Sequence, residues 1–205
     1  MKKTAIVVLG LAAFLLTAPL VGFASAGKGQ EKLDFRMVMI GTYRTPINVL
    51  ENENTIHFDL GFRIRNPLTS GPHAGLPPLV VEIDGETIPA NRFVITDPLN
   101  TIGFLYINQN LENGAETVRV NETITVKAAD GHVMGTLEFQ CMGQTNMGNG
   151  VGEGNHFIGH GTGELKDAKI EGETVSVETI GQWTAPNGMV VNVHRVERVG
   201  TIMGW

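Results

Sequence analysis

The residues with the widest chemical range lie close together, between positions 141 and 163. Cys141 offers a thiol, and His156 and His160 offer imidazoles. The run GHGTG at positions 159–163 is rich in glycine. Glycine-rich runs bind phosphate in nucleotide-binding proteins, histidines four apart bind metals on helices, and a thiol can act as a nucleophile. Each of these three uses requires a particular structural setting.

The glycine run lacks the residues of a phosphate-binding loop. A P-loop continues after its last glycine with Lys and Ser or Thr, whereas Gly163 precedes Glu164 and Leu165. A dinucleotide-binding loop needs a strand before it and a helix after it, but the surrounding sequence is typical of paired strands. We therefore predict that Gly159, Gly161 and Gly163 share one face of a strand and allow bending and close packing.

The spacing of the histidines does not suit a metal site on a strand. Residues four apart along an extended chain are about 13 Å apart, so His156 and His160 would not share one ion. Cys141, Met142 and Met147 are soft ligands of the kind that copper prefers, but the methionines also suit a hydrophobic core. We therefore predict neither a metal nor another cofactor.

Cys141 is the single cysteine of the chain, which excludes an internal disulfide. It follows Leu137 and Phe139 at even spacing in HVMGTLEFQCMG, on the apolar face of a strand. This pattern predicts a buried core cysteine. The sequence has no Gly-x-Ser-x-Gly nucleophile motif, and Glu171 and Glu173 are predicted on a solvated strand face. No catalytic residue is assigned.

The first 26 residues have the pattern of a secretory signal peptide. Lys2 and Lys3 precede an apolar run at 5–16, and ASA at 24–26 matches the small-x-small cleavage pattern. The apolar run is shorter than the roughly 20 residues that span a bilayer. We therefore predict cleavage after residue 26 and export to the periplasm or the medium.

After cleavage we expect a flexible leader at 27–32 and a single domain at 33–205. Without the signal peptide the chain has 13 basic and 21 acidic residues, a formal charge of −8. Nucleic-acid partners are excluded because phosphate backbones require a basic face. No basic amphipathic stretch indicates docking on an anionic membrane, so membrane association is not expected.

Alternating hydrophobicity dominates the rest of the sequence. In TIHFDLGFRIR, residues 55–65, every second residue from Ile56 to Ile64 is apolar. VRVNETITVKA has apolar residues at 118, 120, 124, 126 and 128. Such alternation is typical of antiparallel strands with one buried and one solvated face. No segment has a convincing helical period, and TGELKDAKI is predicted to form at most a turn or two of helix.

Four dipeptides mark turns between these strands: Asp84-Gly85, Asn113-Gly114, Asp130-Gly131 and Asn187-Gly188. They readily adopt the positive φ angles of type I′ turns, which join strands in two-residue hairpins. Strands and turns together predict an all-β fold of about eight to eleven strands. We expect a single antiparallel β-barrel of about eight strands with hairpin connections, with a β-sandwich as the alternative.

Two irregular segments interrupt the strands. Residues 66–78, NPLTSGPHAGLPP, contain four prolines and cannot form a central strand. The second segment is GQTNMGNGVGEG, residues 143–154. Long loops often shape binding sites, so we predict that both border the mouth of a pocket. The aromatic residues predicted to bind a ligand at its wall or rim are Phe58, Phe62, Tyr106 and Trp183.

Residues 157–177, FIGHGTGELKDAKIEGETVSV, resemble a hairpin of the allene oxide cyclase and dirigent-like β-barrel superfamily. That hairpin carries Gly-Thr-Gly, here 161–163, then Leu or an aromatic residue, here Leu165, then a small residue and a glycine, here Ala168 and Gly172. The last two are spaced more widely than in dirigent proteins, and His160 replaces a glycine. The resemblance implies a closed eight-stranded barrel whose lumen binds apolar or phenolic molecules. It assigns no active-site residue, because those of the family lie outside this hairpin.

Three functions fit these observations. The first is an exported β-barrel that binds a small apolar or phenolic ligand. The second is a cyclase- or isomerase-type enzyme on the same barrel. The third is an envelope structural protein or an outer-membrane β-barrel, for which aromatic residues, at 6% of the chain, are too few to form two aromatic girdles. We rank ligand binding first.

Overall fold

The computed structural model describes residues 31–43, 48–64, 68–94, 101–110, 115–146, 155–185 and 187–205. The predicted signal peptide and the Asn113-Gly114 turn lie outside the described residues, as do positions 147–154 of the second irregular segment. Within the described ranges, no helix has the length and hydropathy needed to cross a membrane.

Twelve strands form most of the regular structure of the described residues. They are β1 (Lys32–Tyr43), β2 (Asn48–Glu51), β3 (Thr55–Ile64), β4 (Leu79–Ile83), β5 (Glu86–Ile88), β6 (Phe93–Val94), β7 (Thr101–Asn110), β8 (Ala115–Lys127), β9 (Val133–Asn146), β10 (Asn155–Gly161), β11 (Lys169–Thr184) and β12 (Val190–Met203). Short 3-10 helices occupy Ala90–Arg92 and Gly163–Leu165. The second of these is the helical turn predicted in TGELKDAKI.

The strands belong to one antiparallel sheet that curls on itself. β1 pairs with β12 along eleven residue pairs. The C-terminal end of β1 also pairs with β3 along three residue pairs, from Gly41 with Ile64 to Tyr43 with Phe62. These contacts complete a circuit of eight strands in the order β1, β3, β7, β8, β9, β10, β11, β12. The predicted all-β antiparallel barrel is therefore confirmed, and the sandwich alternative is not.

The remaining strands extend the circuit at its edges. β4 pairs with the first half of β1, and β5 pairs with β4. β2 pairs with β3, and β6 pairs with the end of β8. β1 pairs with β3 along residues 41–43. The preceding residues of β1, 35–39, pair with β4 instead, so β4 extends the sheet beside β3.

Alternation places the apolar side chains on the inner face. In β8, Val120, Ile124 and Val126 are buried, whereas Arg119 and Thr123 are exposed. The predicted orientation of this strand is confirmed. The described buried core combines residues from β1, β3, β4, β6, β8, β9, β10, β11 and β12, with aromatic members Phe35, Phe62, Phe93, Phe139 and Phe157.

The turn between β4 and β5 has the predicted type I′ geometry. Asp84 has φ 51° and Gly85 has φ 79°, and Asp84 is the one non-glycine residue with positive φ in the described part of the chain. Two consecutive left-handed residues match the right-handed twist of a tight hairpin.

The type I′ prediction is wrong for Asp130-Gly131 and Asn187-Gly188. The β8–β9 loop is closed by a hydrogen bond from the Ala128 N–H to the His132 carbonyl, 2.9 Å, which leaves three residues between them. Here only Gly131 is left-handed, with φ 94°, and Gly188 has φ 83° in the corresponding β11–β12 loop. Three-residue loops place a single left-handed residue, commonly glycine, at their end.

The described part of the proline-rich segment, residues 68–78, packs against the outside of the sheet. The Ile40 N–H donates to the Pro78 carbonyl at 2.8 Å. Leu68 lies against Gly181, within 3.1 Å of the position that a Cβ would occupy there. Gly181 pairs with Val193, and both Ile40 and Val193 are buried although they alternate with inward-facing residues. The segment therefore covers outer apolar side chains of β1 and β12.

Candidate functional site

A buried ion pair lies inside the barrel. The guanidinium of Arg198, on β12, donates through Nη2 to Oε1 of Glu122, on β8, at 3.1 Å. A second hydrogen bond joins Nη1 to Oε2. Both side chains are only 3% exposed. Charged residues are almost never buried to this extent without a partner, and here each is the partner of the other.

The pair spans the barrel interior from wall to wall. β8 and β12 are four steps apart in the eight-strand circuit, so they occupy opposite walls. Phe35 and Phe139 meet in the same way, because β1 and β9 are also four steps apart and the two ring centroids are 6.1 Å apart. The Phe157 ring lies 6.2 Å from each of them. Side chains therefore fill the lumen at this level.

Three further side chains surround the Arg198 guanidinium. Its Nε donates to Oγ1 of Thr174 at 3.3 Å, and its Cζ lies 5.6 Å from the centre of the Phe157 ring. The Cys141 sulfur is 3.8 Å from the same Thr174 hydroxyl. We call Glu122, Cys141, Phe157, Thr174 and Arg198 the interior cluster. It combines one neutralised charge pair, one hydroxyl, one thiol and one aromatic face.

The thiol of the interior cluster is not set up as a nucleophile. Burial raises the pKa of Cys141, and this effect outweighs the opposing effects of Arg198 and of the Thr174 hydroxyl. The thiol is therefore protonated at neutral pH, and thiols react as thiolates. The predicted buried core cysteine is confirmed, with 4% exposure.

One end of the barrel is closed by the GHGTG segment and the residues after it. Leu165, in the 3-10 helix, and Ala168 are buried there as members of the core. A Cβ at Gly161 would collide with the Leu165 carbonyl, and Gly163 has φ 62°. These glycines therefore let the backbone fold over the barrel end. The structural prediction is confirmed, except that Gly163 lies beyond β10 and begins the 3-10 helix.

Two of the four predicted ligand-binding aromatics, Phe62 and Trp183, have described side chains, and these two lie on opposite faces of the sheet. Phe62 is buried, with its ring over Gly41 on the inner face. Trp183 is half-buried and pairs with Val191, two positions from the Gly181–Val193 pair on the outer face. Tyr106 pairs with Asp59, whereas Phe58 pairs with Ile107, so these two are one residue out of register. The Phe58 and Tyr106 side chains lie outside the described residues.

The two histidines of β10 are both exposed on the outer face. His160 Nε2 lies 3.5 Å from Glu138 Oε2, and His156 pairs in register with Met142 and Glu173. Glu171 and Glu173 are exposed, as predicted for a solvated face. No group of three or more His, Cys, Asp or Glu among the described residues could hold a metal ion.

Glu122 and Arg198 were not predicted as site residues, although the sequence contains a signal for each. Glu122 lies in phase with Val120 and Ile124 on the apolar face of β8. Arg198 lies in phase with Val196 and Ile202 on β12. A charged residue at an otherwise apolar phase of a strand indicates either a functional site or a buried partner.

A second cluster of titratable side chains lies at the closed end. His132 Nδ1 lies 2.7 Å from Asp130 Oδ1, and Nε2 lies 3.2 Å from Glu164 Oε1. The hydrogen bond with Asp130, then that with Glu164, raises the pKa of His132 above its usual 6.5. The hydrogen bonds from His132 lower the pKa of Asp130 below its usual 3.8.

We expect His132→Gln to cost stability at pH 5 and to cost less at pH 8. The folded pKa of His132 is raised, so its contribution is complete below pH 6.5 and is lost as the pH rises through the folded value. The contribution of Asp130 persists down to about pH 4 because its pKa is lowered. The urea concentrations at the unfolding midpoints of the wild type and of His132→Gln, measured at pH 5, 6, 7 and 8, test this expectation. The same difference between the two midpoints at all four pH values would contradict it.

Comparison of this chain with known protein families, curated proteins and solved structures gives no significant match.

Proposed function

We propose that this protein is an exported β-barrel that binds a small apolar or phenolic molecule at the barrel end opposite Leu165. The observation that carries the proposal is the interior cluster, a set of hydrogen-bonding groups at the base of an apolar inner face. Ligand sites typically combine apolar walls with a few convergent polar groups, and the mouths of small β-barrels are common positions for them. A phenol or a related molecule suits such a site because it combines an apolar ring with a hydroxyl group that forms hydrogen bonds.

The inner face continues beyond the interior cluster toward that end. On β12 the next inward positions after Arg198 are Val196 and His194, and on β1 the corresponding position is Met39. Val177, paired with Val196, packs against the core from β11. Burial lowers the pKa of His194, which is therefore neutral at pH 7. These residues would form an uncharged wall above the cluster.

The outer face argues against the membrane-barrel alternative. Arg36 forms ion pairs with Glu82 at 2.9 Å and with Glu197 at 2.8 Å. Arg195 contacts Glu197 at 2.6 Å and Glu178 at 3.2 Å. This network crosses β4, β1, β12 and β11 on the side away from the core, whereas a transmembrane barrel presents an apolar band outward.

Export itself is part of the proposal and is supported by the sequence. The segment at 1–26 has the order of charges, apolar residues and small residues that a signal peptidase requires. Expression of the full-length gene, followed by osmotic shock and by mass measurement of the released chain, tests it. A released chain that begins at Gly27 supports export, and a chain retained in the cytoplasm with Met1 contradicts it.

Native mass spectrometry and dye binding test the proposed binding. We expect the released protein to carry a small molecule, or after extraction to bind the neutral dye N-phenyl-1-naphthylamine with increased fluorescence. Val196→Phe should weaken dye binding at least tenfold because it fills the inner face. Val199→Phe is the matched control, since Val199 is on the same strand but 37% exposed. Absence of both a bound molecule and dye binding contradicts the proposal.

A further inference from the structure

Among the side chains that the structure describes, the buried part of the barrel contains one positive and one negative group. Among the described residues, the buried polar and charged side chains are those of Thr42, Glu122, Thr174 and Arg198. Glu122 and Arg198 neutralise each other, and the Cys141 thiol is kept neutral by burial. The interior cluster therefore has no net charge, while it retains hydroxyl and guanidinium groups that form hydrogen bonds.

We infer that Glu122 determines the charge of the ligand: the barrel accepts neutral molecules with a hydrogen-bonding group and rejects anions of the same shape. This inference rests on the proposed function. Without Glu122, the Arg198 guanidinium below the proposed binding site would attract a carboxylate or a sulfonate. With Glu122 in place, that attraction is already satisfied by two hydrogen bonds.

Anions are rejected because an unpaired charge costs free energy in an apolar interior. An anion that enters beside Phe157 and Val196 loses its hydration and meets the Glu122 carboxylate as well as the guanidinium. Displacing Glu122 from Arg198 would leave that carboxylate buried without its partner. A neutral hydroxyl or carbonyl group avoids both penalties.

Two dyes with one skeleton test the inference. N-phenyl-1-naphthylamine is neutral, and 8-anilinonaphthalene-1-sulfonate is the same molecule with a sulfonate. On the full-length mature protein at pH 7 and 150 mM salt, we expect the neutral dye to bind at least tenfold more tightly. Equal binding, or tighter binding of the sulfonate, by a site that Val196→Phe blocks would overturn the inference while leaving the proposed function in place.

Glu122→Gln should reverse this preference. The amide keeps the size of the side chain and removes the negative charge that opposes the Arg198 guanidinium, so the ratio of the two affinities should shift at least tenfold toward the anion. The double variant Glu122→Gln, Arg198→Gln is uncharged again and should restore preference for the neutral dye. An unchanged ratio in folded Glu122→Gln protein, shown by its circular dichroism, contradicts a role for Glu122.

The outcomes separate the two proposals. If neither dye binds and no molecule copurifies, the proposed function fails. If the neutral dye binds but the wild-type ratio is below tenfold, only the charge selectivity fails. If Glu122→Gln does not fold, the wild-type ratio still tests the inference, because a ratio below tenfold overturns it.

Discussion

Replacing Arg198 with methionine should lower the free energy of unfolding by about 3–5 kcal/mol. The substitution removes both hydrogen bonds to Glu122 and the contact with the Phe157 ring, and it leaves a carboxylate 3% exposed at the centre of the barrel. A buried charge without its partner is among the most destabilising changes in a protein interior. Urea unfolding at pH 7, followed by circular dichroism, measures the effect.

The double variant Glu122→Leu, Arg198→Met is the control for this prediction. Replacing both members of a buried ion pair with apolar residues of similar size is often neutral or stabilising by about 1–4 kcal/mol. We therefore expect the double variant to recover at least the stability lost by Arg198→Met. If the single variant unfolds at the same urea concentration as the wild type, the pair is not buried as described. If the double variant is as unstable as Arg198→Met, the loss of packing around Arg198, rather than the unpaired charge of Glu122, explains the destabilisation.

Gly172→Ala should destabilise the barrel by about 3 kcal/mol. Gly172 on β11 pairs with Gly200 on β12 and with Phe157 on β10. A Cβ there would lie 2.6 Å from the Gly200 Cα and 2.9 Å from the Phe157 ring, and it would also collide with the Val199 carbonyl. Two of these three contacts are with backbone, so the strands themselves would have to separate. The same unfolding measurement applies.

Gly131→Ala provides the comparison for Gly172→Ala. Gly131 has φ 94° in the β8–β9 loop, and no atom lies within 4 Å of the position of its Cβ. An alanine there costs only the left-handed backbone conformation, about 1–2 kcal/mol. A larger loss at Gly131 than at Gly172 would show that backbone conformation, rather than close approach of strands, sets the glycine requirement in this barrel.

Local features of the fold could be predicted because they depend on near neighbours in sequence. The orientation of β8 follows from alternation around Val120 and Ile124. The type I′ turn follows from Asp84-Gly85, whereas the same rule is wrong for Asp130-Gly131 and Asn187-Gly188 because their loops have three residues. The burial of Cys141 follows from its phase with Phe139. In each case the residues that decide the outcome lie within one strand or one turn.

The interior cluster could not be predicted because its members come from distant strands. Glu122 and Arg198 are 76 residues apart in sequence, and their contact exists only once β8 and β12 occupy opposite walls. The register shifts of β11, between Thr174 and Ser176 and between Thr179 and Gly181, also have no local signal. Each shift moves the following side chains to the opposite face, so the two shifts cancel and Trp183 lies on the outer face, paired with Val191.

The pairing of β1 with β12 has a consequence for the order of folding. β1 begins at Lys32 and its partner strand ends at Met203, so the longest-range contacts of the fold join the two ends of the described chain. β12 is synthesised after the other described strands, and contacts of such sequence separation form slowly. β1 therefore cannot complete its pairing, and the circuit of strands cannot close, before β12 has been synthesised.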